Sequence, residues 1–169
     1  GPIAPSSTAK MWAIDPKLSG RTVKERLVLG SGVLDEHKLD GLLITALDEL
    51  AWITNVRGDH FAYQATWRGL GLTTRKSIRV QADTRTLQTD RAVEAGVEFV
   101  DDVVAGFGAG ARVGVDPATV PYALCLKLTQ QGCVLVEVPS PYAMLRTKKT
   151  QQELDHMADA FARADRVVD

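Results

Sequence analysis

Short apolar runs alternate along the chain with segments that carry helix-capping patterns, and this alternation limits the fold more than any other feature. Leu42-Leu43-Ile44 and Val134-Leu135-Val136 are uninterrupted apolar runs, as expected for strands buried on both faces. Thr22-Val23-Lys24-Glu25 precedes the first run and Thr150-Gln151-Gln152-Glu153 follows the second, and both have the spacing of a capping box that opens a helix. Strands that alternate with helices predict an α/β domain in which helices cover a sheet.

Turn residues and periodicity predict the other elements. Strands are expected over residues 67–74, 77–81, 97–100, 112–115 and 133–138. The first two meet at Arg75-Lys76, so part of the sheet should be antiparallel. Helices are expected over residues 22–38, from a Thr45 cap to about 53, over 86–95, from a Thr119 cap to Gly132, and from Thr150 onward. Gly30 and Gly32 leave a break near Ser31 open, since each costs about 1 kcal/mol against alanine.

Length, charge and cysteine content exclude several classes of protein. The 169 residues suit one domain, and 20 basic against 21 acidic side chains give a net charge of −1. The basic field of a nucleic-acid binder is therefore absent from the sequence. No apolar run approaches the roughly 18 residues of a membrane span, and residues 1–10 do not resemble a signal peptide. Two cysteines, Cys125 and Cys133, cannot form a disulfide framework, which favours a reducing, cytoplasmic location.

Three segments follow from these patterns. Residues 1–19 contain Pro2, Pro5 and Pro16 among small polar residues, so they are expected to form an extended arm or to include the remnant of a tag. Residues 20–140 should form the domain itself. Residues 141–169 should form a linker and a final helix, whose positions Leu154, Met157, Phe161 and Val168 follow a helical period.

Most familiar catalytic and cofactor motifs fit this sequence poorly. Gly106-Phe107-Gly108 precedes a predicted strand instead of opening a helix, so a flexible loop is the preferred interpretation. His37, His60 and His156 lie on separate elements and indicate no metal site. The pairs Asp35-Glu36, Asp48-Glu49 and Asp101-Asp102 are interpreted as solvated helix ends. Cys125 and Cys133 are expected to be packed thiols, because no activated nucleophile pattern accompanies them.

One stretch is the best candidate for function. Asn55-Val56-Arg57-Gly58-Asp59-His60 gathers three charged or titratable side chains at a glycine turn, and Phe61, Tyr63 and Trp67 follow. Polar groups among aromatic residues on a loop are typical of a binding rim. An ordinary polar turn remains the competing interpretation.

The run from Thr45 to Asp59, TALDELAWITNVRGD, resembles a segment of the Xaa-Pro aminopeptidases (aminopeptidase P). Gly20-Arg21-Thr22-Val23-Lys24-Glu25-Arg26-Leu27 adds to this resemblance, and Pro139-Ser140-Pro141 with the residues from Lys148 to Glu153 looks like that family's linker. The similarity spans residues 20–169. After Gly58 the sequence departs from the family, because Asp59-His60-Phe61 replaces the usual Ser-Asp and the later Asn-Pro is missing.

The resemblance implies a single three-layer α/β domain of the creatinase N-terminal type, with a mixed, ribonuclease H-like sheet. It implies that this domain is not catalytic and holds no metal or other cofactor. In the family, two divalent ions, often manganese, are held by two Asp, one His and two Glu of a following pita-bread catalytic domain. That domain, a peptide substrate and a second copy of the chain are the partners implied. Arg57, Asp59 and His60 are then expected to face the substrate cleft or the domain interface.

Two other functions stay open on the sequence. A metal-free creatinase-like domain could instead bind a peptide or protein, and the discriminating observation is whether the parent polypeptide keeps the metal ligands. A nuclease would need clustered carboxylates on neighbouring strands, which the two apolar runs do not offer.

Overall fold

The computed structural model describes residues 9–168, with side chains to residue 167. Its strands are β1 Met11–Ala13, β2 Gly41–Ile44, β3 Val56–Gly58, β4 Gly69–Thr73, β5 Ile78–Ala82, β6 Val97–Phe99, β7 Arg112–Val115 and β8 Val134–Glu137. Its helices are α1 Pro16–Ser19, α2 Val23–Glu36, α3 Leu47–Thr54, α4 Tyr122–Gln130, α5 Pro141–Leu145 and α6 Gln151–Val168. None of the described helices has the length and apolar content needed to cross a membrane.

Six strands form one mixed sheet in the order β6-β5-β4-β2-β7-β8. β4 pairs antiparallel with β2 and β5, which confirms the hairpin predicted at Arg75-Lys76, and the other pairs are parallel. β1 and β3 form a separate two-stranded antiparallel sheet, in which Trp12 lies opposite Arg57.

Helices cover both faces of the six-stranded sheet, and β2 shows the two sides most clearly. Leu42 and Ile44 join the core under α2, α3 and α5, whereas Leu43 joins the core under α4. All four residues of β2 are buried, as its uninterrupted apolar sequence predicts. The three-layer α/β fold with a mixed sheet is therefore confirmed.

The expected N-terminal arm differs from the structure over residues 11–19. Met11 is fully buried in the main core, and its strand β1 pairs with β3. α1 follows directly, with the Asp15 carboxylate accepting a hydrogen bond from the amide of Lys17 at 3.0 Å. Proline at the first position of a helix is favourable, so Pro16 opens α1 instead of marking loose chain. Residues 1–8 lie outside the described residues.

The helix predicted over residues 86–95 is wrong. Only a 3-10 turn at Thr84–Thr86 forms there. The amide of Gln88 donates to the carbonyl of Met11 at 2.8 Å, and Leu87 packs against the core. These long-range contacts outweigh the local helix preference of the segment.

Two predicted helix caps are also wrong. Ala46 and Pro121 occupy the cap positions of α3 and α4. The hydroxyl groups of Thr45 and Thr119 instead bond to each other at 2.8 Å and link the two loops. By contrast, the capping boxes at Thr22 and Thr150 both form.

α2 runs unbroken through Gly30 and Gly32, for different reasons at the two positions. A Cβ atom at Gly30 would lie 2.2 Å from the hydroxyl oxygen of Tyr142, a side chain that is 1% exposed. Gly32 has nothing within 4 Å of the same position. Gly30 therefore makes room for α5 against α2, whereas Gly32 is replaceable.

Gly30→Ala and Gly32→Ala should consequently change stability in opposite directions. We expect Gly30→Ala to lower the free energy of unfolding by about 1–3 kcal/mol through overpacking against Tyr142. Gly32→Ala, the matched control on the same helix, should raise it by up to about 1 kcal/mol through helix propensity. Urea unfolding measures both, and equal effects from the two substitutions would contradict the packing described for Gly30.

Candidate functional site

The aminopeptidase-like motif folds as α3, a single left-handed residue and β3. Asn55 has φ of 53° and caps the C-terminal end of α3, a position that glycine and asparagine adopt most readily. The chain then reverses into β3, and Arg57 lies at its centre. One residue, Asn55, therefore sets the angle between the helix and the strand that leads to the candidate loop.

The Asn55 side chain is buried, and every polar atom on it is bonded. Its Nδ2 donates to the carbonyl of Arg21 at 3.0 Å and to Oε1 of Glu94 at 2.5 Å. Its Oδ1 accepts from the Ser19 hydroxyl at 3.2 Å and from Nη1 of Arg26. Asn55 thus joins α3 to α2, to the turn before α2 and to the loop before β6.

Arg26 is the charged centre of this network, although it is fully buried. Its Nη1 also donates to the carbonyl of Trp52, and its guanidinium lies 4.6 Å from the centre of the Trp52 ring. Burial, reinforced by the nearby charge of Arg57, lowers the pKa of Arg26 to about 10. Arg26 is therefore still protonated at neutral pH. Its buried positive charge is stabilised by the groups that bond to it and by the Trp52 ring.

The side chains of Arg57 and Asp59 form hydrogen bonds within the domain. Arg57 is half-buried, and its Nη1 donates to the carbonyl oxygens of Ala51 at 2.5 Å and Val56 at 3.2 Å. Burial lowers the pKa of Arg57, and the charge of Glu153 opposes that effect. Asp59 is exposed, and its Oδ1 accepts from the amide of Lys10 at 2.5 Å. The two side chains hold β3 to α3 and to the N-terminal segment.

His60 keeps one ring nitrogen unused. Its Nδ1 accepts from the amide of Arg68 at 3.2 Å, whereas its Nε2 is shielded from solvent and has no hydrogen-bond partner within residues 9–168. Burial lowers the pKa of His60, so the ring is neutral at physiological pH. Among the three predicted site residues, only His60 has a buried polar atom without a hydrogen-bond partner in the described part of the chain, whereas Asp59 is exposed.

The loop after His60 is closed by aromatic contacts. The guanidinium of Arg68 lies 5.3 Å from the centre of the Phe61 ring, and buried Trp67 donates from Nε1 to the carbonyl of Val56 at 3.1 Å. Tyr63 is fully exposed and has a left-handed φ of 63°. The loop therefore presents one aromatic side chain to solvent from a base that is fixed by Trp67.

The described residues offer no metal centre, since no group of three or more His, Cys, Asp or Glu side chains among them is placed to hold an ion. The resemblance assigns its two divalent ions to the following catalytic domain, and these residues hold no donor set for them. Cys133 is buried and its thiol pKa is raised by burial, which suits a packed residue and not a nucleophile. Gly106-Phe107-Gly108 forms no strand or helix.

The environment of Glu49 differs from the one predicted from the sequence. Glu49 was expected at a solvated helix end, but it is 5% exposed and accepts a hydrogen bond from the Ser140 hydroxyl at 2.5 Å. Its neighbour Asp48 forms an ion pair with Arg146. These contacts tie α3 to the segment around α5. The prolines on both sides of Ser140 indicate a break in regular structure, but the sequence does not indicate which helix this segment contacts.

The chain is similar in sequence to known proteins over most of its length. A sequence model of the Creatinase/Prolidase N-terminal domain matches residues 3–153. The chain belongs to the creatinase/prolidase N-terminal domain family. Aminopeptidase P1 of Arabidopsis thaliana is 26% identical to the chain over 193 residues, covering 94% of this chain and 30% of the plant protein. This chain therefore spans about a third of the length of that relative.

Solved structures agree on the fold of this domain. The X-prolyl aminopeptidase of Caenorhabditis elegans, described as a cytosolic enzyme with a di-nuclear active site, superposes with a TM-score of 0.72 at 17% identity. That match covers 92% of this chain and 27% of the nematode enzyme. The N-terminal domain of the cytoplasmic peptidase PepQ from Mycobacterium tuberculosis has a TM-score of 0.53 at 17% identity, covering 72% of this chain and 98% of that domain.

Glu49 should make stability depend on pH. Burial raises the pKa of its carboxyl, so the folded state holds the proton more tightly than the unfolded state does. That contribution to stability is complete below the unfolded pKa and is lost as the pH rises through the folded pKa.

Glu49→Gln keeps an oxygen that can accept from Ser140 but carries no charge. Relative to the parent chain, its free energy of unfolding should therefore increase between pH 5 and pH 8. Glu36→Gln, at an exposed position on α2, should show no such trend. A parallel pH dependence in the parent and Glu49→Gln chains, measured by urea unfolding, would exclude this role.

Proposed function

We propose that this chain is the non-catalytic accessory domain of a metal-dependent Xaa-Pro aminopeptidase, an enzyme that removes the first residue from peptides with proline in second position. Family membership, the names of the plant and nematode relatives and the resemblance of the Thr45 to Asp59 segment support the proposal. The reaction itself belongs to polypeptide beyond this chain. A cytoplasmic location is proposed with it, as for the nematode relative.

The observation that carries the proposal is the state of α6. Every residue from 154 to 167 is exposed, including Leu154, Met157 and Phe161, of which Phe161 has 66% of its surface accessible. The side chain of Val168, predicted on the same face, lies outside the described side chains. An apolar stripe of this kind is costly in water and marks an interaction surface.

The position of the stripe suggests what covers it. The match to the N-terminal domain family ends at residue 153, and the stripe begins at residue 154. Relatives continue for more than twice the length of this chain. We therefore assign the stripe to contact with the pita-bread catalytic domain, and the two divalent ions, manganese by resemblance, to that domain. A second copy of the chain is proposed as a further partner on the resemblance alone.

Arg57, Asp59 and His60 remain the residues proposed to serve the substrate cleft or the domain interface, with different roles. Arg57 and Asp59 act as positioning residues, since their hydrogen bonds fix β3 and its exit. His60 is proposed to meet the peptide or the catalytic domain directly.

The proposed function is tested by comparing two purified proteins. The longer protein that contains this chain should release the first residue of peptides with proline in second position, and a chelator should abolish that activity. The 169-residue chain alone should have none. Peptide hydrolysis by the short chain, or an inactive longer protein supplied with manganese, would contradict the proposal.

Substitution of His60 separates contact from folding in the longer protein. His60→Ala should lower kcat/KM for such peptides about tenfold, the change expected from one lost hydrogen bond of about 1.4 kcal/mol, and should lower Tm less than Arg57→Ala does, since it removes one bond within the domain. Arg57→Ala should lower both kcat/KM and Tm, because it also removes two bonds within the domain. His37→Ala, a half-buried histidine at the end of α2, is the matched control. Unchanged kinetics in both test variants would remove these residues from the cleft.

A second candidate function is a metal-free creatinase-like domain that binds a peptide or protein. The exposed Tyr63 is the observation that favours it. The encoded sequence after residue 169 discriminates between the two. Two Asp, one His and two Glu ligands there support the aminopeptidase, and their replacement supports the binding domain.

A further inference from the structure

α6 is attached to the domain at its first turn. The hydroxyl of Thr150 donates to the carbonyl of Ser19 at 3.0 Å, and Nη1 of Arg21 donates to the carbonyl of Lys148 at 3.2 Å. Between them, a Cβ atom at Gly20 would lie 2.5 Å from Oε1 of Gln152, so the two segments are in close contact. Gly20 also has a left-handed φ of 66°, which allows this tight turn.

The same turn is bonded on its other side to the core. The Ser19 hydroxyl donates to Oδ1 of Asn55, and the carbonyl of Arg21 accepts from Nδ2 of Asn55. Asn55 in turn bonds Arg26 and Glu94, both of which lie on other elements. A continuous set of hydrogen bonds therefore runs from the buried Arg26 through Asn55 and the turn to the start of α6.

We propose that the turn Ser19-Gly20-Arg21, here named the α6 anchor, fixes the direction in which α6 leaves the domain. Residues 154–167 are all exposed, so they do not hold the helix against the domain by burial. A cleft of about 330 Å³, lined by Lys17, Thr22 and Gln152 among others, lies beside the anchor. In proteins most of the stability of a helix comes from packing of its apolar face, so the order of this 18-residue helix depends on its attachment at the anchor.

The anchor connects the motif around Asn55 to the final helix. Asn55 opens β3, which carries Arg57 and leads to His60. The same side chain holds the turn that positions α6. If the proposed function is correct, the anchor sets the candidate loop and the following domain in one relative orientation, but its test requires no enzymatic activity.

Two substitutions weaken the anchor without altering α6 itself. Ser19→Ala removes the hydroxyl that bonds Asn55 and leaves the carbonyl that Thr150 uses. Arg21→Met removes the bond to Lys148 from a half-buried side chain, so it should fold even if Ser19→Ala does not. Arg85→Met, whose exposed side chain bonds the nearby Asp83, is the matched control.

Hydrogen exchange of the 169-residue chain gives the first measurement. Amide exchange over residues 151–156 should become about fivefold to tenfold faster in Ser19→Ala and Arg21→Met, as expected for the loss of one hydrogen bond, while β2 and β4 keep their rates. Arg85→Met should match the parent. Unchanged exchange in α6, or an equal increase in the two strands, would overturn the proposal.

A distance measurement tests direction separately from order. Spin labels at Glu98→Cys and Asp165→Cys, two exposed positions, are placed in a chain whose own cysteines are replaced by Cys125→Ser and Cys133→Ala. The parent should give one narrow distance distribution, and Arg21→Met should broaden it. An equally broad distribution in both would show that the anchor does not fix the direction of α6.

Discussion

The hydrogen bond between the buried Arg26 guanidinium and the Asn55 side chain is the interaction on which the rest of the structure depends. A charge removed from water costs free energy unless it is bonded. Asn55 and the Trp52 carbonyl bond Nη1 of Arg26, whereas its Nε and Nη2 have no hydrogen-bond partner among the described residues. Because Asn55 also bonds Ser19, Arg21 and Glu94, one side chain links the end of α3 to α2, to the turn before α2 and to the loop before β6.

This arrangement changes how the aminopeptidase-like motif is understood. Its polar residues suggest a site, yet Asn55 and Arg57 use their polar groups to join α3, β3 and the N-terminal segment. Glu49 does the same for the segment that leads to α5 and α6. The motif is therefore largely architectural, and the surfaces we propose for partners are the loop after His60 and the apolar stripe of α6.

Much of the fold could be predicted from sequence, because its strands and caps are local patterns. β2 is an uninterrupted apolar run, and the capping boxes at Thr22 and Thr150 involve residues three apart. The prediction fails where contacts between residues distant in sequence determine the local structure. Residues 86–95 have helical composition, but contacts of Leu87 and Gln88 with Met11 replace a helix there. Glu49 is bonded by Ser140, 91 residues away. Burial of Arg26 likewise depends on Asn55, which no spacing rule connects to it.

A double-mutant cycle on Arg26 and Asn55 tests the central claim most directly. Asn55→Gly keeps the left-handed backbone and removes the side chain, and Arg26→Met removes the buried charge while keeping an apolar stem. The free energy of unfolding in urea, measured for both single variants and the double variant, should show that Asn55→Gly costs at least about 1 kcal/mol more when Arg26 is present than when it is methionine. Additive losses from the two substitutions would contradict this account of the fold.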